Sequence, residues 1–163
     1  MRITFAPRGI LQIDDAKIVY RNFSGSATKF NREGDRNFSV VIDSEEYADN
    51  LVRDGWNVKI REAREPGDSP FITLPVKVKF NDRGPNVYLT SGDSTVKLDE
   101  TTVNCIDEID IESVDLDIRP YDWEVNGRTG RTAYLQDIHV TQRVDRFASR
   151  YSNRNVDDDD LPF

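Results

Sequence analysis

Carboxylates crowd the stretch CIDEIDIESVDLDIRP, which holds Asp107, Glu108, Asp110, Glu112, Asp115 and Asp117. A hard divalent cation takes oxygen ligands at such density, and a metal-dependent nuclease could use Asp110, Glu112, Asp115 or Asp117. The spacing argues otherwise. Asp110 and Glu112 alternate with Ile109 and Ile111, and Asp115 and Asp117 with Val114 and Leu116, which is the pattern of a half-buried strand. The lone Cys105 and lone His139 cannot build a zinc site, and one cysteine forms no internal disulfide. Cys105 reads as a buried neutral side chain. The chain holds no Gly-rich phosphate loop and no Ser–His–Asp or Cys–His constellation. The expectation is a protein without catalytic residues, metal or cofactor.

Followed further, the same strand changes character. If Val114, Leu116 and Ile118 face the core, the odd-numbered face continues outward as Arg119, Tyr121 and Trp123. Asn126-Gly127 is a strong two-residue hairpin signal. It sets Trp123 opposite Gly130, Tyr121 opposite Thr132, Arg119 opposite Tyr134 and Val125 opposite Arg128. One face of the hairpin then shows Arg119, Tyr121, Trp123, Arg128 and Tyr134, while Asp122 pairs with Arg131 on the other. Rings interleaved with cations suit a single-stranded nucleic acid: bases stack at about 1–3 kcal/mol each while Arg and Lys follow the phosphates. Pro120 marks either an edge strand or a shift of phase, and a shift would turn Tyr121 and Trp123 into the core.

Other segments repeat the theme. Tyr20, Arg21, Phe23, Lys29 and Phe30 come in quick succession, with Arg32 and Arg36 across a flexible loop. Lys77 and Lys79 share one face of a strand, either tracking an anion or simply solvated; Phe38 and Phe80 read as core. Residues 143–156 carry Arg143, Arg146, Arg150 and Arg154, spanning an arc of about 80° if helical. They form either a short helix or an extended linker, and can neutralise the acidic run beside them. That run, Asp157, Asp158, Asp159 and Asp160, is self-repelling and best read as a disordered tail. Leu161, Pro162 and Phe163 beyond it have no local core to join. An acidic leash with an apolar tip suits a protein partner, with Phe163 filling a pocket and its terminal carboxylate meeting Arg or Lys.

The elements that must position these groups are mostly strands. Period-two alternation runs through residues 10–23, 36–43, 56–63, 71–80, 86–92, 112–125 and 132–142. Turn signals REGD, EPGDSP, NDRGPN and NG separate them. One helix is expected over 43–55, with Asp43 capping, Glu46 completing a capping box, Tyr47, Leu51 and Val52 forming the stripe, and Gly55 ending it. A second short helix fits DETTVNCIDEID. The 163 residues suit one domain, and half of the net charge of −8 sits in the four tail aspartates. Nothing resembles a signal peptide or a membrane span, so a cytoplasmic protein is expected. The fold expected is mainly β: a small OB-like barrel of long bent strands with one or two short helices.

DDDDLPF closely resembles the terminal acidic peptide of bacterial single-stranded DNA-binding proteins. FNREGDRNFSVVIDSEEYADNLVRDGWNVKIRE with PFITLPVKVKF resembles bacteriophage single-stranded DNA-binding proteins of OB fold. The resemblance implies residues 1–142 as a DNA-binding domain, 143–156 as linker and 157–163 as a protein-interaction tail. It further implies coating of single-stranded DNA in replication, recombination or repair, in the host cytoplasm, by a monomer or homodimer whose tail recruits replication proteins. The bacterial family joins barrel and tail by a long Gly/Pro/Gln-rich linker; here an Arg-containing segment stands instead, so tetramer formation is not carried over. The rival reading is an acidic DNA mimic, supported by the carboxylates of 107–117 and opposed by the aromatic and cationic hairpin.

Overall fold

The computed structural model describes residues 1–144. The expectations for Arg146, Arg150, Arg154 and the segment 157–163 fall outside them. Ten strands and one helix follow in the order β1 (Arg2–Phe5), β2 (Leu11–Ala16), β3 (Ile18–Asn22), β4 (Arg36–Val41), α1 (Glu45–Arg53), β5 (Lys59–Arg61), β6 (Phe71–Val78), β7 (Asn86–Ser91), β8 (Ser94–Leu98), β9 (Ile111–Val125) and β10 (Arg128–Gln142). They make one sheet in the order β1-β2-β9-β10-β6-β4-β3, with β5 beside β6, β7 beside β10 and β8 beside β7. β10 runs parallel to β6 and β7.

Alternation places the core as the sequence requires. Val114, Leu116 and Ile118 of β9 are buried, as are Leu74, Val76 and Val78 of β6 and Leu11 and Ile13 of β2. Phe38 and Phe23 stack in the same core, ring centroids 5.2 Å apart.

The expected closed barrel is not what the ladders draw. Among the described residues no hydrogen-bonded pairing joins β1 to β3; the chain itself links the two halves of the sheet. β2 pairs with β9 and β3 with β4, yet only Lys17 separates β2 from β3. The bend is made by a register slip between Ile13 and Ala16 and by Asp15 at φ 53. The Asp15 N–H donates to the Asp115 carboxylate at 2.9 Å, which holds the bulge. The single strand expected over 10–23 is therefore two.

Other expectations shift in detail. Ser44, not Asp43, caps α1: its hydroxyl accepts from the Tyr47 N–H at 3.0 Å, whereas the Asp43 carboxylate lies 3.8 Å from the Met1 amino group. The buried stripe is Ala48 and Leu51, and Val52 is exposed, because nine residues give only a narrow inward face. The second helix is a single 3-10 turn over Val103–Asp107. Of 56–63 only Lys59–Arg61 forms a strand, while the buried Trp56 makes an isolated bridge to Arg131.

Candidate nucleic-acid interface

The β9–β10 hairpin forms in the register that Asn126-Gly127 dictates. Both turn residues have positive φ, 52 and 79, as a type I′ turn demands. Trp123 faces Gly130, Tyr121 faces Thr132, Arg119 faces Tyr134, Val125 faces Arg128 and Asp122 faces Arg131. β2 leaves β9 after Ile118, so the strand becomes an edge before Pro120, whose missing N–H leaves no ladder bond wanting. No phase shift occurs. Tyr121 is 55% and Trp123 38% exposed, and the two strands project as an arm.

A clasp holds the arm to the body. Arg131 forms two hydrogen bonds to the Asp122 carboxylate, at 2.7 and 3.1 Å, and reaches Asp54 at 3.3 Å. Its guanidinium lies 5.4 Å from the ring centre of the buried Trp56, and the Trp56 indole N–H donates to the same Asp54 carboxylate at 2.8 Å. The Arg131 hydrogen bonds hold Asp122 below the usual carboxylate range, and Asp122 in turn raises Arg131.

The opposite face of the arm continues onto the sheet. Asn37 of β4 pairs with Lys77 of β6, Lys77 with Tyr134 of β10, and Tyr134 with Arg119 of β9. Directly paired residues share a face, so these four form one row across four strands. The Arg119 guanidinium lies 4.9 Å from the Tyr134 ring centre, and Tyr121 meets that ring edge-on at 6.0 Å and 84°. Beyond Tyr121 the Trp123 ring lies over Gly130. Lys79 follows Lys77 on the same face, in a hollow shared with Arg83 and Arg119. The other end of the β9 face is acidic: Asp115 and Asp117 precede Arg119 on the same side. Burial first, then the Asp137 and Asp14 carboxylates, raise Asp117 above its ordinary range.

The loop between β3 and β4 stands at the edge of this row. The Asn37 side-chain amide donates to Asn31 at 2.8 Å, and Arg32 lines a hollow with Lys77, Lys79 and Tyr134. Lys29 and Phe30 project from its tip, Phe30 at 92% exposure. Arg32 lies 3.5 Å from Asp35.

Three expected contact residues make contacts within the fold, although Arg36 also lines the hollow of Arg32, Lys77, Lys79 and Tyr134. Phe23 is wholly buried against Phe38, so its ring has no face to offer a base. Arg21 donates to the carbonyls of Ile106 and Ile109, both at 2.8 Å. Arg36 donates to the Phe23 carbonyl and to Asn104, and lies over the partly buried Phe80. The carboxylate run divides likewise: Asp107 accepts from the Phe23 and Ser24 N–H groups at 2.7 and 3.0 Å. Among the described residues no group of carboxylate, Cys or His side chains is arranged to hold a metal ion. Cys105 is half-buried rather than buried, and burial pushes its thiol up.

Residues 2–162 match the model of a family described as "Putative phage ssDNA-binding domain". The chain belongs to this family. A search of curated protein sequences gives no match. In fold the chain is similar to solved structures of the single-stranded DNA-binding protein from bacteriophage Enc34. One match, 13% identical with a TM-score of 0.56, covers 91% of this chain and 93% of that one. The Enc34 protein in complex with ssDNA is 12% identical, with a TM-score of 0.57 over 89% and 93% of the two chains.

In this phage ssDNA-binding domain, the sequence did not single out Asn37, Pro75, Arg83 and Trp56, which line hollows beside the candidate face. Asn37 and Pro75 carry no charge or ring, and only the β4–β6 register brings them to the face. Trp56 was visible as an aromatic, but nothing local signals its pairing with Arg131 across the fold. The part of Gly130 was legible, because the hairpin turn alone sets it under Trp123.

Proposed function

We propose that the protein binds single-stranded DNA without reading sequence, laying it across the face of β6, β10 and the β9–β10 arm. The observation that carries this is the row Asn37–Lys77–Tyr134–Arg119 running into Tyr121 and Trp123. Cations and exposed rings alternate there at strand spacing, with core side chains on the reverse side of the sheet. Rings stack on bases of any identity and cations follow phosphates, so the site needs no particular sequence. Lys79, Arg128, Lys29, Phe30 and Arg32 border the track. Stacking and phosphate contacts serve RNA as well.

Family membership supports the same reading, with a phage protein coating exposed strands during replication, recombination or repair in the host cytoplasm, without catalysis, as a monomer or homodimer. The sheet is read as an OB-type barrel whose closure is the bent stretch 11–22. Asp157 to Phe163 is a recruitment tail: its carboxylates compete with DNA for the cationic face, while the apolar tip docks on replication proteins.

Trp123→Ala tests the central claim. By titration of a labelled oligonucleotide it should raise Kd about 5-fold or more, while wild-type tryptophan emission is quenched by DNA. Wild-type affinity should fall with salt, with a log–log slope of about −0.7 per phosphate neutralised. A folded Trp123→Ala protein that binds as wild type does would sink the reading.

A further inference from the structure

The Arg119–Tyr134–Tyr121 arrangement occurs a second time. At the other end of β6 the Arg61 guanidinium lies 5.1 Å from the Phe71 ring centre, against 4.9 Å for Arg119 over Tyr134. Tyr20 meets Phe71 edge-on at 6.5 Å and 83°, against 6.0 Å and 84° for Tyr121 on Tyr134. The outer tyrosine is exposed in both, 62% for Tyr20 and 55% for Tyr121. Among the described residues no carboxylate comes within ion-pairing distance of Arg61 or Arg119. Each guanidinium thus rests on a ring and keeps its N–H donors for another acceptor.

The two triads share a face. Arg61 pairs with Phe71 and Lys59 with Thr73, so these residues continue the odd-numbered side of β6 that carries Pro75, Lys77 and Lys79. β5 and β10 flank β6 on the same side, at 71–73 and 76–77, with Pro75 at the gap between them. From Phe71 to Lys77 is roughly 20 Å of strand. Tyr20 is turned toward Phe71 by a slip in the β3–β4 register between Val19 and Asn22, and it holds a positive φ of 53. A bulky residue adopts that conformation only when its surroundings impose it.

We propose that Tyr20, Arg61 and Phe71 form a second stacking station for the same single strand, which leaves the arm, crosses Pro75 and is held again at the far end of β6. The proposal rests on the arm face being the primary DNA site. Tyr20 offers the stacking ring, Phe71 fixes it edge-on and orients Arg61, and Arg61 takes a phosphate. Lys59, exposed on the same side, tracks the backbone between the stations.

The test uses the full chain and two oligothymidylates, one of about 4 and one of about 16 nucleotides, the short one covering one station and the long one reaching both. Tyr20→Ala and Arg61→Ala, both at exposed positions, should raise Kd for the long oligonucleotide about 5-fold or more and leave that for the short one unchanged. Tyr20→Phe should restore binding, because the ring and not the hydroxyl does the stacking. Unchanged affinity of both alanine variants for the long oligonucleotide would overturn the proposal, and so would an equal loss at both lengths. Failure of the primary site gives a different result: Trp123→Ala would bind both lengths as wild type does.

Discussion

Gly130→Ala separates the position of the Trp123 ring from its presence. A Cβ built at Gly130 would lie 2.4 Å from Trp123 Cζ2 and 2.6 Å from Cε2. Carbons in contact sit about 3.5–4.0 Å apart, so the indole must retreat by about 1 Å or tilt away. The backbone raises no objection, since Gly130 lies outside the left-handed region. In a strand interior Ala is favoured over Gly by about 0.5–1 kcal/mol. Stability should therefore hold while the stacking surface is displaced. Losing one base stack removes about 1–3 kcal/mol, or about 5- to 150-fold in Kd. Thermal unfolding by circular dichroism reports the first quantity, and anisotropy of a labelled oligonucleotide the second. Wild-type affinity in a variant whose tryptophan emission has shifted would refute the reasoning, because DNA would then be indifferent to where the ring lies. A fall in Tm matching the loss of affinity would also refute it, since the glycine would then serve the fold.

Asp117 gives a pH-dependent expectation. Its folded-state pKa is raised above the ordinary 3.8, by burial first and then by Asp137 and Asp14. The native state thus holds the proton more tightly than the unfolded chain, and that contribution is lost as pH rises through the folded value. Asp117→Asn should raise Tm at neutral pH, with the advantage closing as pH falls toward 3.8; an advantage constant across that range would point away from ionisation. Deleting 157–163 should raise DNA affinity, most at low salt, and abolish capture of replication proteins. If titrations and pull-downs were both unaltered, the tail would have neither role.

The hairpin could be read in advance because every step was local. Alternation fixed which side of β9 faces inward, and Asn126-Gly127 fixed the register, so the ring positions came from counting alone. The internal contacts of Arg21, Phe23 and Arg36 were not legible, because their identities suit DNA equally well. Only the packed chain shows Arg21 on the Ile106 and Ile109 carbonyls, Phe23 stacked on Phe38, and Arg36 on the Phe23 carbonyl and Asn104. The second triad was illegible for a related reason. Tyr20, Arg61 and Phe71 lie far apart in sequence and meet only because β5 joins β6 and a register slip turns Tyr20. β1 and β8 also escaped, being short: four residues in β1, and five in the mostly exposed β8. The split of 10–23 depends on Asp15, where a bulge answers to a carboxylate one hundred residues away.

The change of sign along the outer face of β9 sets a boundary as well as a site. Asp117 precedes Arg119 by two residues, roughly 7 Å of strand, which is within one Debye length at physiological salt, about 8 Å. A phosphate held by Arg119, as proposed, would therefore be pushed from below as it is drawn from above, and a strand that drifted toward Asp115 would meet rising repulsion. On the proposed binding face the carboxylates would act as a kerb, opposing lengthwise travel down β9 and favouring a crossing route over β10 and β6. Because the kerb is electrostatic, it should lower with ionic strength along with the attraction. In concentrated salt the bound strand should be not only weaker but less confined in its path.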